Sequence, residues 1–166
     1  KEIQKAEKAR MEGQKPCEAV AEVADVMKVV REKFANADST NTGFGSTIFA
    51  VKPGDGSARE QAASCQKVLG GWANIANEYA TKRYRSNLIN WGMLPFLIQE
   101  GELPFKNLDY LFVPGIKAAV ENKTEVIKAY VVKDSNLTEF DLKLGELTDE
   151  ERQIILKGCL INYNRV

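Results

Sequence analysis

Residues 47–60, T-I-F-A-V-K-P-G-D-G-S-A-R-E, are the stretch that decides the fold. The first five form a short apolar run, which is typical of a buried β-strand. A proline and two glycines follow and predict a tight turn. Ser57 and Glu60 have the spacing of a capping box, so we expect a helix from Ser57 to Leu69. A strand, a glycine-rich turn and a helix in this order favour an α/β fold.

Predicted helices and strands alternate through the rest of the chain. Residues 1–15 are charged and lack an apolar stripe, so we expect them to fray or to form a linker. Pro95 has no N–H group, which favours an edge or distorted position for its strand. A capping box at Thr148 and Glu151 predicts the start of a final helix. Further helices are expected at 17–36, 78–91 and just before 122, and further strands at 72–76, 93–98, 125–133 and 139–144.

The last two strands predict an antiparallel hairpin, so the expected fold is α/β with a mixed sheet and a C-terminal β-hairpin plus helix. We expect one domain over residues 1–166. The 23 Lys and Arg residues balance 23 Asp and Glu residues, which argues against a nucleic-acid binder or a polybasic membrane binder. No apolar run approaches the ~20 residues of a membrane span, and the N-terminus lacks the apolar core of a signal peptide, so we expect a cytoplasmic protein.

The chain contains no histidine. A His-based triad, a His-ligated metal and a His base are therefore excluded within it. Cys17, Cys65 and Cys159 lack metal-ligand spacing and are expected to be buried, reduced thiols. Any chemistry must then come from hydroxyls, carboxylates, Lys, Arg and backbone dipoles, or from another polypeptide segment. The first residue is Lys1, and we expect the chain to be a fragment of a longer protein.

The turn before Ser57 is the candidate functional site. A strand leads into it and a helix N-terminus leaves it, so unpaired N–H groups and a positive dipole end lie together. Such an end binds carboxylates or phosphates. Gly54 and Gly56 permit close approach to the backbone, and Arg59 carries a planar fork that suits a carboxylate. In the alternative interpretation, Ser57 only caps the helix and Arg59 only pairs with a nearby carboxylate.

Three segments resemble the C-terminal swivelling domain of the aconitase superfamily. Residues 54–71, G-D-G-S-A-R-E-Q-A-A-S-C-Q-K-V-L-G-G, are similar to the family's G-x-G-S-S-R-E-H-A-A followed by L-G. Residues 84–95, Y-R-S-N-L-I-N-W-G-M-L-P, resemble its R-x-N-L-I-N-x-G-M-L-P, and residues 155–163 resemble aconitase C-termini. The likeness is strong over 46–95, and three matches in order are more specific than one motif.

This resemblance implies a hydro-lyase acting on small hydroxy di- or tricarboxylic acids, with a 4Fe-4S cluster held by upstream domains. It implies that Ser57, as an alkoxide, is the catalytic base and that Arg59 binds a substrate carboxylate, beside Gly56 and Ala58. The implied fold is a swivelling β/β/α domain, and its partners are the cluster-bearing domains of the same protein or a large subunit. Residues 84–87 are expected to brace the turn from behind.

Two positions depart from the family motif: Ala58 replaces its second serine and Gln61 its histidine. A second substrate arginine is not assigned, because Arg31, in R-E-K-F-A-N, lies on a predicted helix. Three functions stay open. The chain is the base-supplying domain of a larger hydro-lyase and inactive alone, or a stand-alone small subunit of an isopropylmalate-isomerase-type enzyme, or a carboxylate-binding module that has lost catalysis.

Overall fold

The structure, a computed structural model, describes residues 2–165. The α/β prediction is confirmed. The helices are α1 (Glu2–Met11), α2 (Pro16–Ala19), α3 (Ala21–Lys33), α4 (Arg59–Val68), α5 (Lys82–Asn90), α6 (Ile116–Glu121), α7 (Asp149–Leu156) and α8 (Leu160–Tyr163). The strands are β1 (Ser46–Ala50), β2 (Gly71–Ala76), β3 (Leu94–Leu97), β4 (Tyr110–Phe112), β5 (Val126–Lys133) and β6 (Asn136–Lys143). They form one mixed sheet in the order β1-β2-β3-β6-β5-β4.

The chain divides into two compact units. The first contains the residues up to Gly45, Glu102–Pro114 and Lys128–Phe140, and the second contains Ser46–Gly101, Gly115–Ile127 and the residues from Asp141 onwards. The candidate turn lies in the second unit. That residues 1–166 act as a single domain stays a prediction.

Three parallel strands, β1, β2 and β3, form the base of the second unit. Helix α4 connects β1 to β2 and α5 connects β2 to β3, since parallel neighbours need a crossover. Ala63 of α4, Tyr84 and Leu88 of α5, and Met93 form a buried cluster. The prediction that residues 47–51 are buried was wrong, since Thr47, Ile48 and Val51 are exposed and the two residues between Ile48 and Val51 are only half-buried. This strand ends the sheet and so has a neighbouring strand on one side only.

Pro95 lies inside the sheet and not at its edge, because β3 runs between β2 and β6. The N–H of Ile98 donates to Ala76 O of β2. Successive N–H groups of a strand point to opposite sides, so Pro95 directs its nitrogen away from β2. On its other side, β3 pairs with β6 through Leu97 and Lys143. The missing N–H of Pro95 therefore removes no bond from the parallel ladder.

Helices α1, α2 and α3 pack together in the first unit. Ala6 of α1 is fully buried in a cluster that includes Phe44. The carboxylate of Glu7 accepts a hydrogen bond from the Phe44 N–H at 2.9 Å. The expectation of a frayed segment was wrong for residues 2–11, because small alanines supply the contact face that an apolar stripe usually supplies. Lys1 lies outside the described residues.

Strands β5 and β6 form the predicted hairpin. Its two-residue turn, Asp134-Ser135, has φ values of 49° and 60°, and positive φ at both positions is the mark of a hairpin turn whose twist matches the strands. The Tyr130 hydroxyl donates to Glu139 at 2.9 Å. This hydrogen bond holds the pKa of Glu139 below its ordinary value. The predicted alternation along β6 is confirmed, since Leu142 is buried between exposed neighbours.

Several element boundaries differ from the prediction. The helix expected at 17–36 is divided into α2 and α3, because Val20 is extended, with φ −140°. The helix expected at 78–91 starts at Lys82, where Thr81 caps it. The capping box of Thr148 and Glu151 is confirmed. Strand β4 and helix α8 were not predicted, since elements of three or four residues are too short to show periodicity.

The three cysteines are free thiols, as expected. The expectation of burial was wrong, since Cys65 is exposed on α4 and Cys17 and Cys159 are only half-buried. In the part of the chain that the structure describes, no helix has both the length and the apolar character needed to cross a membrane.

Gly92 tests the packing of the second unit. Its φ is +71°, and a Cβ added there would lie 1.7 Å from the carbonyl oxygen of Gly158. We expect Gly92→Ala to lower the free energy of unfolding by about 3 kcal/mol or more, since backbone must move as well as adopt a strained φ. Gly13→Ala is the matched control, because Gly13 has φ +75° and open space around it. If urea unfolding gives equal losses of free energy for the two variants, the close approach of Gly92 to the Gly158 carbonyl is contradicted.

Candidate active site

The candidate site lies on the loop that leaves β1. Residues 51–58 connect the carboxyl end of β1 to α4. The loop that leaves β2 runs beside it, because the N–H of Glu78 donates to Val51 O at 3.1 Å and that of Ala80 donates to Pro53 O at 2.9 Å. Two loops at the carboxyl ends of neighbouring parallel strands are thus held together. In open α/β sheets, ligands bind outside this edge.

Ser57 is exposed and does not cap α4. The N-cap residue is Ala58, and no side chain bonds the helix end there. The predicted capping box was therefore wrong: with Ala58 as N-cap, the third helical position is Gln61 and not Glu60. The interpretation in which Ser57 only caps the helix is contradicted. Its hydroxyl stands in the exposed turn directly before the helix.

Backbone donors are available at the start of α4. Its first turn has the N–H groups of residues 59–61, which have no acceptor inside the helix, as at any helix start. The helix dipole adds partial positive charge at this end. Residues 55–58 are exposed, and a Cβ added to Gly56 would meet nothing within 4 Å. An anion can therefore approach the backbone closely here.

Arg59 is half-buried and is held by the turn itself. Its Nε donates to the carbonyl oxygen of Gly54 at 3.1 Å. Within residues 2–165 no hydrogen-bond or ion-pair partner is found for its Nη1 and Nη2 groups. The outer edge of the guanidinium is thus free for a carboxylate, which it can bind with two parallel hydrogen bonds.

Tyr84 packs directly beneath the turn. A Cβ added to Gly54, whose φ is +98°, would lie 2.5 Å from Tyr84 Cβ. Only glycine therefore combines this backbone conformation with this contact. The Tyr84 hydroxyl accepts hydrogen bonds from Asn74 Nδ2 at 2.8 Å and Gln66 Nε2 at 3.0 Å. This buried polar cluster fixes the tyrosine ring, in agreement with the predicted bracing role.

Tyr79 and Arg85 are occupied by structural contacts. The Tyr79 hydroxyl donates to the Phe96 carbonyl at 2.9 Å, and burial raises the pKa of this phenol well above its ordinary value. Tyr79 is thus a fixed donor rather than a proton carrier. Arg85 donates through Nη2 to the carbonyl oxygens of Leu144 and Glu146. It is not a second arginine for a substrate.

Two further residues contact the site, and sequence reasoning missed both. Trp91 Nε1 donates to Glu60 Oε1 at 3.1 Å, which connects the C-terminal end of α5 to the first turn of α4. Thr81 Oγ1 donates to Gly54 O at 3.2 Å. A threonine before a charged helical segment is a recognisable N-cap signal. Nothing in the sequence indicated that its proton reaches the turn 27 residues earlier.

An iron–sulfur cluster needs several ligands close together. Cys65 lies on α4 and Cys159 precedes α8, and neither belongs to a ligand group. Among the described residues, 2–165, there is no group of three His, Cys, Asp or Glu side chains that could hold a metal ion. Residues 2–165 therefore do not supply the ligands of a cluster site.

The comparisons with known proteins agree with the resemblance. Aconitate hydratase A of Rickettsia bellii (strain RML369-C) is 27% identical over 134 residues, which cover 78% of this chain and 15% of that protein. The methanogen homoaconitase small subunit of Methanocaldococcus jannaschii is 30% identical over 110 residues, which cover 66% of this chain and 55% of that protein. The matches thus span 15% and 55% of the lengths of these two curated relatives.

The family pattern described as the aconitase C-terminal domain matches residues 5–101. This range includes the turn with Ser57 and Arg59, the helices on both sides of it, and all three parallel strands. The predicted family is therefore confirmed: this chain belongs to the aconitase C-terminal domain family.

Proposed function

We propose that this chain is the base-supplying and carboxylate-binding part of a hydro-lyase that hydrates or isomerises small hydroxy di- or tricarboxylic acids. Ser57 is the catalytic base and Arg59 binds a substrate carboxylate, with Gly56 and Ala58 lining the turn between β1 and α4. The observation that carries the proposal is that, within residues 2–165, the Ser57 hydroxyl and the Arg59 Nη groups have no hydrogen-bond partner. Ser57 does not cap α4, and Arg59 uses Nε alone on the turn.

A serine hydroxyl is a weak base, so the site must stabilise its alkoxide. Ser57 directly precedes Ala58, the N-cap of α4. The unpaired N–H groups and the dipole of the first helical turn favour negative charge there, as does the Arg59 guanidinium. The alkoxide then takes a proton from the substrate carbon beside a carboxylate.

Arg59 determines which part of the substrate lies next to Ser57. Its fork binds a carboxylate in one orientation, because Nε is already engaged by Gly54 O. A substrate bound this way has its reacting carbon held near the serine, which lowers the entropic cost of the proton transfer.

The loop is open to solvent from Asp55 to Ala58. Proton removal from carbon is favoured where water is excluded, so this proposal requires another domain or subunit to cover the turn. In the proposal that partner holds a 4Fe-4S cluster, which supplies a Lewis acid for the substrate hydroxyl. In this proposal the swivelling role is a movement of this chain relative to the partner.

The assembly has two candidate forms. In one, the chain is the C-terminal part of a single long polypeptide, as the likeness to aconitate hydratase A suggests. In the other, it is a separate small subunit that works with a large subunit, which the likeness to a homoaconitase small subunit favours. The mass of the polypeptide that contains this chain, measured on protein from its natural source under denaturing conditions, separates the two forms.

Ser57→Ala tests the base. In the cluster-loaded parent protein, we expect kcat for hydration of aconitate-like acids to fall about 10²–10⁴-fold, with KM changed little, because only proton transfer is lost. Ser64→Ala is the matched control, since Ser64 lies on α4 and its hydroxyl donates to Gln61 O within the helix. It should retain full activity.

Two results would contradict this proposal. If Ser57→Ala and Ser64→Ala have equal kcat values, Ser57 is not the base. If the wild-type parent contains a cluster and binds such acids but hydrates none of them, the chain is a carboxylate-binding module that has lost catalysis. Ala58 and Gln61 would then be the positions to restore to serine and histidine.

Arg59→Lys tests the carboxylate contact. Lysine keeps the charge but loses the planar fork, so we expect KM to rise about tenfold or more while the unfolding transition shifts little. Arg152→Lys is the control for loss of a guanidinium elsewhere, because Arg152 bonds the Val120 carbonyl. An unchanged KM in Arg59→Lys would remove Arg59 from the site.

A further inference from the structure

The carbonyl oxygen of Gly54 accepts two hydrogen bonds. One comes from Arg59 Nε at 3.1 Å, and the other comes from Thr81 Oγ1 at 3.2 Å. A carbonyl oxygen has two lone pairs, so both are in use. The peptide group between Gly54 and Asp55 is therefore held from both sides.

Thr81 has a second contact that fixes the direction of its proton. Its Oγ1 accepts a hydrogen bond from the Tyr84 N–H at 3.2 Å, which caps α5. With the acceptor side engaged, the single hydroxyl proton points to Gly54 O. The same side chain thus caps the start of α5 and bonds the turn.

The neighbours of Thr81 in the chain contact the same loop as Thr81 does. The preceding residue, Ala80, donates its N–H to Pro53 O at 2.9 Å. Tyr84, one helical turn later, is buried and in contact with Gly54. Thr81 is thus fixed on one side of Gly54 O, and Arg59 is fixed by the same oxygen.

We propose that Thr81 is a positioning residue for Arg59, whose Nε shares the Gly54 oxygen with the Thr81 hydroxyl. The proposal rests on the proposed function, since it assigns Thr81 a role in the same reaction without contact with substrate. Without the Thr81 hydroxyl the Gly54 peptide can rotate, and the Arg59 fork, which is bonded to the same oxygen, then loses its orientation toward the substrate carboxylate. Small displacements of reacting groups have large effects on rate.

The test is a double-mutant cycle of Thr81→Val and Arg59→Lys in the cluster-loaded parent protein. In the wild-type background, we expect Thr81→Val to lower kcat/KM about tenfold, the size of one hydrogen bond to a charged or positioned group. In the Arg59→Lys background, the same change should lower kcat/KM less than about threefold, because the fork that Thr81 orients is already absent. Thr81→Ser keeps both hydrogen bonds and should restore kcat/KM.

Thr148→Val is the matched control, because Thr148 caps α7 through the Glu151 N–H in the same way as Thr81 caps α5. Both valine variants should lower the urea midpoint of unfolding by similar amounts. Only Thr81→Val should lower kcat/KM. An equal loss of kcat/KM in Thr148→Val, or the same factor for Thr81→Val in both Arg59 backgrounds, would overturn the positioning role.

The same cycle separates this proposal from the proposed function. If the wild-type parent hydrates none of the acids, the proposed function has failed, and the cycle is then measured on urea unfolding. The shared Gly54 contact is supported if the losses of unfolding free energy in Thr81→Val and Arg59→Lys are not additive in the double variant. The losses in Thr148→Val and Arg59→Lys should be additive. Additive losses of unfolding free energy for both pairs of variants would overturn the shared contact.

Discussion

The hydrogen bonds to the Gly54 carbonyl oxygen join three parts of the second unit at one atom. Arg59 reaches it from the first turn of α4 and Thr81 from the start of α5, while the atom itself belongs to the loop that leaves β1. The arrangement is possible only because residue 54 is a glycine with positive φ, whose missing side chain leaves room for the ring of Tyr84. The orientation of the Arg59 guanidinium depends on this contact.

The electrostatics of the turn follow from the way α4 begins. Serine at an N-cap bonds the helix N–H groups and stabilises the helix by about 1 kcal/mol relative to alanine. Here Ala58 occupies the N-cap and leaves those N–H groups unbonded by any side chain. Ala58 departs from the family motif, yet it keeps the helix donors available to an anion. The helix instead gains a contact at Glu60, which accepts a hydrogen bond from Trp91.

Three local patterns were sufficient, whereas the capping box expected at Ser57 was not formed. The turn at 53–56, the hairpin at Asp134-Ser135 and the capping box at Thr148 depend on residues within a few positions of each other, and all three were predicted. For Pro95, only the edge position was wrong, because the place of β3 in the sheet depends on its neighbouring strands. Helix α1 was missed because small buried residues such as Ala6 do not form a recognisable apolar stripe in the sequence.

The sequence by itself determined the α/β class, the family, and the glycine-rich turn of the candidate site between β1 and α4, because glycines and apolar runs have local causes. The tertiary structure decided that Ser57 is free, that Arg59 bonds Gly54, and that Thr81 completes the contact. Thr81 is 27 residues from Gly54 along the chain. Such a hydrogen bond exists only after parallel strands β1 and β2 have brought their carboxyl-end loops together, and no local pattern contains that information.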